Sequence, residues 1–169
     1  MRGLVIRSGG QTGVDRAALT AAIALGIPYC GWCPLGGWAE DRRTPPGLLA
    51  DFPDLVETPS SDPRQRTAWN VRDADATLIV SLGATESPGT TFTEVCSQLV
   101  FLRPTCVVDL EDASPLRAGI AWLRDVRGGV TSPAFVLNVA GPRESECIGI
   151  EARAIAFLMQ LFSDVSDNQ

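Results

Sequence analysis

The stretch GLVIRSGGQTGVDRAALTAAIALG, Gly3 to Gly26, decides the fold. Gly3 to Arg7 is rich in β-forming residues and predicts a first strand. Ser8 to Gly13 is a turn built on glycines. Val14 to Leu25 places Leu19, Ile23 and the neighbouring alanines at helical spacing, and Gly26 supplies the usual stop. Strand, tight turn and helix in this order open a βαβ unit.

The same alternation continues to the other end of the chain. Ile27 to Trp32 predicts a second strand. Cys33 to about Asp62 is proline-rich and too long for an ordinary connection, so it is expected to be a functional loop. Ser61 or Asp62 caps a helix from Pro63 to about Ala74. Strands follow at Ala76 to Leu82, Thr105 to Leu110 and Ala134 to Ala140. Helices are expected at Thr90 to Leu102, at Pro115 to about Arg127, and from a Ser145 cap to about Phe162. One domain, residues 1–163, is expected to carry a flexible polar tail, 164–169. Apolar strands alternating with helices imply an α/β, three-layer architecture with a mainly parallel sheet of five or more strands. Right-handed crossovers then bring every strand-to-helix turn to one sheet edge, where ligands bind.

Composition removes whole classes of chemistry. The formal net charge of -6 argues against broad nucleic-acid binding and acidic membranes. No apolar run reaches bilayer length, and Met1 to Ile6 does not read as a signal peptide, so the expected compartment is the cytoplasm. All 14 basic residues are arginines, and there is no histidine. Without Lys or His there is no Schiff base, no Ser-His-Asp triad and no histidine metal site. The 5 cysteines are read as reduced thiols. Cys30 and Cys33 form a CxxC, but the Pro34, Gly36 and Gly37 that follow suit a loop, not the helix that a redox motif needs.

Three turns carry the candidate binding residues. The first is Ser8, Gly9, Gly10, Gln11, Thr12 and Gly13, with Arg16 beyond it. Its glycines admit a close ligand, and the following helix offers N–H groups to an anion. Alternatively, Thr12 and Asp15 simply form a capping box. The second turn ends in Gly89, Thr90 and Thr91, an anion cradle or a helix cap. The third holds Asn138, Gly141, Pro142 and Arg143, with Arg143 either a ligand contact or a partner of Glu144. Arg66, Trp69, Asn70 and Asp73 share one helix face, where an aromatic plane beside Arg and Asn can hold a ring or simply enter the core.

Taken together, SGGQTGVDRAAL (Ser8 to Leu19), GWCPLG (Gly31 to Gly36), AED (Ala39 to Asp41), TPSSDPRQRTAWNVRDADAT (Thr58 to Thr77), GTTFT (Gly89 to Thr93) and LNVAGPRES (Leu137 to Ser145) resemble the molybdenum carrier family, in the same order along nearly the whole chain. The resemblance implies a Rossmann-like fold and a homo-oligomer, dimer or tetramer. It implies a protein that binds and protects molybdenum cofactor, a phosphorylated pterin, as cargo without converting it, with no directly ligated metal. Molybdenum enzymes would be its recipients. Ser8 to Gly13, Arg16, Trp32, Arg66, Trp69, Asn70, Gly89 to Thr91, Asn138 and Gly141 to Arg143 become the expected ligand contacts. Leu35 stands where the family carries a Lys, and Thr85 to Pro88 lacks the usual paired glycines. The wider group includes nucleotide phosphoribohydrolases with a PGGxGTxxE segment, which Pro88 to Glu94 matches in part. A nucleotide hydrolase and a sensor of nucleotide-derived signals are therefore the competing readings.

Overall fold

A computed structural model describes residues 3–167. Among the described residues the six strands are β1 Gly3–Arg7, β2 Tyr29–Cys33, β3 Leu55–Glu57, β4 Ala76–Ser81, β5 Thr105–Asp109 and β6 Ala134–Ala140. The α-helices described are α1 Val14–Ala24, α2 Pro63–Arg72, α3 Pro88–Val95, α4 Pro115–Gly129 and α5 Ile150–Asp167. The strands form one sheet in the order β3-β2-β1-β6-β4-β5, with every neighbouring pair parallel. This is the expected three-layer Rossmann-like arrangement.

Strand side chains alternate between two different environments. Leu4, Ile6, Leu78, Val80, Phe135, Leu137 and Val139 pack into the main core with Ala17, Ala18, Ala21 and Ala22 of α1, Leu123 of α4, and Phe157, Leu158 and Leu161 of α5. The opposite face is more polar. Thr77 and Asn138 are buried there and hydrogen-bond to one another at 3.4 Å. Helices α2 and α3 pack together on that side. Crossovers through α1 and α4 step toward the β3 edge, and those through α2 and α3 step toward the β5 edge. The direction reverses about the central strand β6. A crevice is expected outside the strand ends at such a reversal.

Several boundaries differ from expectation for local reasons. β2 starts at Tyr29, because the Ile27 N–H bonds back to Ala22 at 2.9 Å and Pro28 has no N–H to give. The long stretch after Cys33 contains β3, a three-residue edge strand in which only Leu55 is buried, too short to leave a periodic signal. The cap of α1 is Gly13, at φ 79, and not a Thr12–Asp15 capping box. Ser87, not Thr90, caps α3 by accepting from the Thr90 N–H at 3.3 Å, with Pro88 in the first turn. Beyond Val95 that helix continues as a π-helical turn, Cys96–Val100. Asp62 caps α2 as expected, accepting from the Arg64 N–H at 2.9 Å. Ser145 caps nothing; its hydroxyl donates to Glu40 at 2.6 Å. The Glu144 carboxylate instead accepts from the Gly149 and Glu151 N–H groups at the start of α5. α5 passes the expected end near Phe162 and continues to Asp167, with Phe162 and Val165 buried. Residues 168–169 of the expected tail lie outside the described residues. No described helix is long and apolar enough to cross a membrane.

Candidate functional site

The turns after β1 and β6 meet α2 and α3 around a cavity of about 260 Å³. Its walls include Gln11 and Asp15 from the first turn and α1, and Asp62, Arg64 and Arg66 from the start of α2. Ser87, Gly89 and Phe92 come from α3, and Gly141, Arg143 and Glu146 from the turn after β6. Strand order alone explains this convergence, since β1, β6 and β4 are neighbours.

Beneath it lies a small polar recess lined by Gly9, Asp15, Arg66, Asn70, Thr93 and Asn138. Arg66 and Asp15 form its centre, with Nη1 to Oδ2 at 2.7 Å. Both are largely buried, at 13% and 5% side-chain exposure. Burial pushes the Asp15 carboxyl up, while the Arg66 charge and hydrogen bond and the Gln11 backbone N–H pull it down. The Arg66 Nε–H is buried without a partner among the described residues. Gly9 makes the pair possible, because a Cβ there would sit 2.0 Å from Arg66 Nη1.

The charges around the cavity are arranged asymmetrically. Asp62 accepts from the backbone N–H of Arg64 at 2.9 Å, and Glu146 from that of Arg143 at 3.0 Å. Each acid therefore anchors the main chain of an arginine. The Arg143 guanidinium makes no hydrogen bond among the described residues. That of Arg64 makes none either, and stands 5.7 Å from the Phe92 ring centre. Gly89, in the first turn of α3, faces open space. Two cations, a helix N-terminus and an aromatic face thus meet in one cleft, a combination that suits a planar molecule bearing an anionic group.

The expected contacts divide clearly. Gln11, Arg66, Gly89, Gly141 and Arg143 line the cavity, and Gly9, Asn70 and Asn138 line the recess. The other residues serve the frame. The Ser8 hydroxyl donates to Asp15 and Val139 carbonyls. Gly10, at φ +72, packs against Leu48 and Leu55. Arg16 bonds the Gly10 carbonyl and clasps Asp41 through two nitrogens, at 3.0 and 3.2 Å. The Gly13 N–H donates to Glu151 and that of Val14 to Pro142, so α1 has its N-terminal donors taken by the protein itself. The Thr12 hydroxyl donates to Glu40. The Thr90 and Thr91 hydroxyls turn back to Ser87.

Trp32 and Trp69 meet edge to face at 4.9 Å, with Trp32 Nε1 donating to Asp73 at 2.7 Å and Arg72 over the Trp69 ring. Neither lines the cavity; its aromatic wall is Phe92. Asn70 also binds the Trp32 backbone through both amide atoms. Arg64, Phe92, Ser87, Asp15 and Glu146 carried no cavity role in the sequence analysis. Arg64 and Phe92 become neighbours only when two helix starts meet, and no local spacing encodes that. Glu146 left a faint trace, three residues after Arg143, the reach of a carboxylate folding back on a backbone N–H.

Other chemistry is less well served. Glu94, the counterpart of the hydrolase glutamate, accepts from Gln98 at 3.1 Å and is not among the cavity residues. All 5 cysteines are free. Burial, followed by the Glu57 charge, pushes the Cys33 thiol up to about 11, and burial also raises that of Cys30. The CxxC therefore lacks the low-pKa thiolate that redox exchange requires. Among the described residues no His, Cys, Asp and Glu cluster is placed to hold a metal ion.

Comparison with known proteins agrees with this architecture. A crystal structure of a putative molybdenum carrier protein from Syntrophus aciditrophicus SB superposes with a TM-score of 0.78. The two are 36% identical over 95% of this chain and 94% of that one. No curated protein matches the chain. The family model for the circularly permutated YpsA SLOG family matches residues 6–162. That match spans nearly the whole chain and places it in the family: it belongs to the circularly permutated YpsA SLOG proteins.

Proposed function

We propose that the protein binds and carries molybdenum cofactor, a phosphorylated pterin, in the cavity at the ends of β1, β6 and β4. The observation that carries this reading is the pair of guanidinium groups, Arg64 and Arg143, which make no hydrogen bond among the described residues and line the cavity beside Gly89 in the first turn of α3. The phosphate sits there. The Phe92 ring flanks the pterin. At about 260 Å³ the cavity falls just below the roughly 300–1,000 Å³ of a site that encloses a drug-sized ligand. The metal-bearing end of the cargo therefore projects toward solvent, where a recipient molybdenum enzyme can take it. The relative's name supports a molybdenum-related cargo, and the sequence motifs favour molybdenum cofactor over a plain nucleotide.

The free thiols suit a cytoplasmic setting. Copies associate through the exposed apolar residues Val95, Leu99, Val100 and Leu102, which follow one another at the end of α3 and beyond it. The test of function is protection. Molybdopterin released anaerobically from a molybdenum enzyme is mixed with the protein, and its conversion to fluorescent oxidised pterin is followed. Slower oxidation that saturates at a fixed protein ratio supports the proposal. An unchanged rate, or release of free base from AMP by the purified protein, rejects it.

A further inference from the structure

An anion alone is poorly matched to this cavity, whose wall also carries carboxylates. The inference that follows rests on the cavity being the ligand site. Glu146 lines it beside Arg143 and cannot turn away. Its Oε2 accepts from the Ser87 hydroxyl at 2.8 Å and from the Arg143 backbone N–H at 3.0 Å. Its Oε1 accepts nothing from the described residues. A carboxylate oxygen accepts, and Glu146 is half-buried, so a ligand that displaces water from the cavity must offer that oxygen a donor in its place. A phosphate has none to offer at neutral pH.

Gln11 has the complementary polarity. It is 3% exposed and lines the same cavity. Its Oε1 accepts from the backbone N–H groups of Thr12 at 3.1 Å and Glu40 at 3.0 Å. Flipping the amide would set its NH₂ against two N–H donors, so the orientation is fixed and Nε2 is left as a donor. The cavity thus presents one fixed acceptor and one fixed donor in addition to its arginines.

We infer that Glu146 is a specificity-determining residue. Its Oε1 accepts an N–H from the ring of a phosphorylated nitrogen heterocycle, while Gln11 donates to an acceptor on the same ring. Pterins and guanine have both groups, whereas a sugar phosphate has neither ring group. Glu146→Gln is the decisive variant. Its amide oxygen still serves Ser87 and Arg143, and its NH₂ replaces the acceptor that faces the cavity.

Calorimetry on the wild type and E146Q uses neopterin monophosphate, GMP and ribose 5-phosphate, with melting curves to confirm folding. A lost charge-assisted hydrogen bond corresponds to about tenfold or more in affinity. At least one heterocycle should bind the wild type about tenfold more tightly than ribose 5-phosphate and lose that margin in E146Q. Affinity for ribose 5-phosphate should hold or rise in the variant as a negative charge goes. The inference falls if E146Q weakens all three ligands equally, or leaves the heterocycles within about twofold. It also falls if the wild type binds no heterocycle better than ribose 5-phosphate, whatever the variant does. If GMP shows the Glu146 dependence and neopterin monophosphate does not bind, the inference stands and the pterin reading fails. If neopterin monophosphate binds without that dependence and GMP shows none either, the pterin reading stands and the inference fails.

Discussion

Removing the guanidinium in Arg66→Ala would leave the Asp15 carboxylate buried and unpaired, since only 5% of that side chain is exposed. Breaking one half of a buried ion pair costs about 3–5 kcal/mol. The lower end applies here, because Asp15 keeps the Gln11 backbone N–H and can take up a proton. For a chain of this size, roughly 2–4 °C of melting temperature per kcal/mol turns about 3 kcal/mol into a drop of about 6–12 °C. The pH dependence carries the stronger test. Burial already raises the Asp15 carboxyl, and losing Arg66 removes the two strongest effects that lower it, so the variant's folded carboxyl rises further. A group raised on folding contributes fully below its unfolded value, about 3.8, and loses that contribution as pH climbs through its folded value. The deficit of R66A relative to wild type should therefore be smallest at the acid end of the pH range and grow as pH rises. Thermal unfolding of wild type, R66A, Asp15→Asn and the double variant across this range measures it. The double variant should be more stable than R66A at pH 8. A deficit independent of pH, or a double variant no better than R66A, would refute the reasoning.

Three further outcomes follow from individual contacts. Gly9→Ala places a Cβ where Arg66 Nη1 lies, so it should reproduce the pH-dependent destabilisation of R66A; an unchanged melting temperature would show that the guanidinium can move freely. Arg143→Ala removes a guanidinium with no hydrogen-bond partner among the described residues, so it should weaken a phosphate-bearing ligand by about 1.5–3 kcal/mol while stability moves by no more than about 0.5 kcal/mol. Calorimetry paired with melting curves checks this, and equal affinity in both proteins would exclude the contact. With its thiol pushed up to about 11, Cys33 should resist alkylation in the native protein at pH 8 and react once denatured; rapid native labelling seen by peptide mass spectrometry would contradict that.

What the sequence made legible, and what it did not, follows from the range of the forces involved. β1, α1 and β6 could be placed because strand propensity, helical spacing and glycine stops are local signals. The meeting of the turns after β1, β4 and β6 followed from the handedness of crossovers. β3 was not legible, because a three-residue edge strand leaves no period. The residues that face the ligand were harder still. The first turn supplies Gln11 and Gly9, but its donors at Gly13 and Val14 go to Glu151 and Pro142, partners more than a hundred residues away in the chain. Trp69 and Arg66 share a helix face in sequence, yet only Arg66 reaches the cavity, because Trp69 packs against Trp32 from the neighbouring strand. Phe92 takes the aromatic place through helix packing that no local pattern encodes.

The central claim is that this cavity retains a phosphorylated pterin. Protein purified without oxygen from a host that makes molybdenum cofactor should release molybdopterin or its oxidation product on denaturation, identified by mass spectrometry, and R143A should release much less. Protein that yields no pterin, or that yields it equally with and without Arg143, would contradict the account.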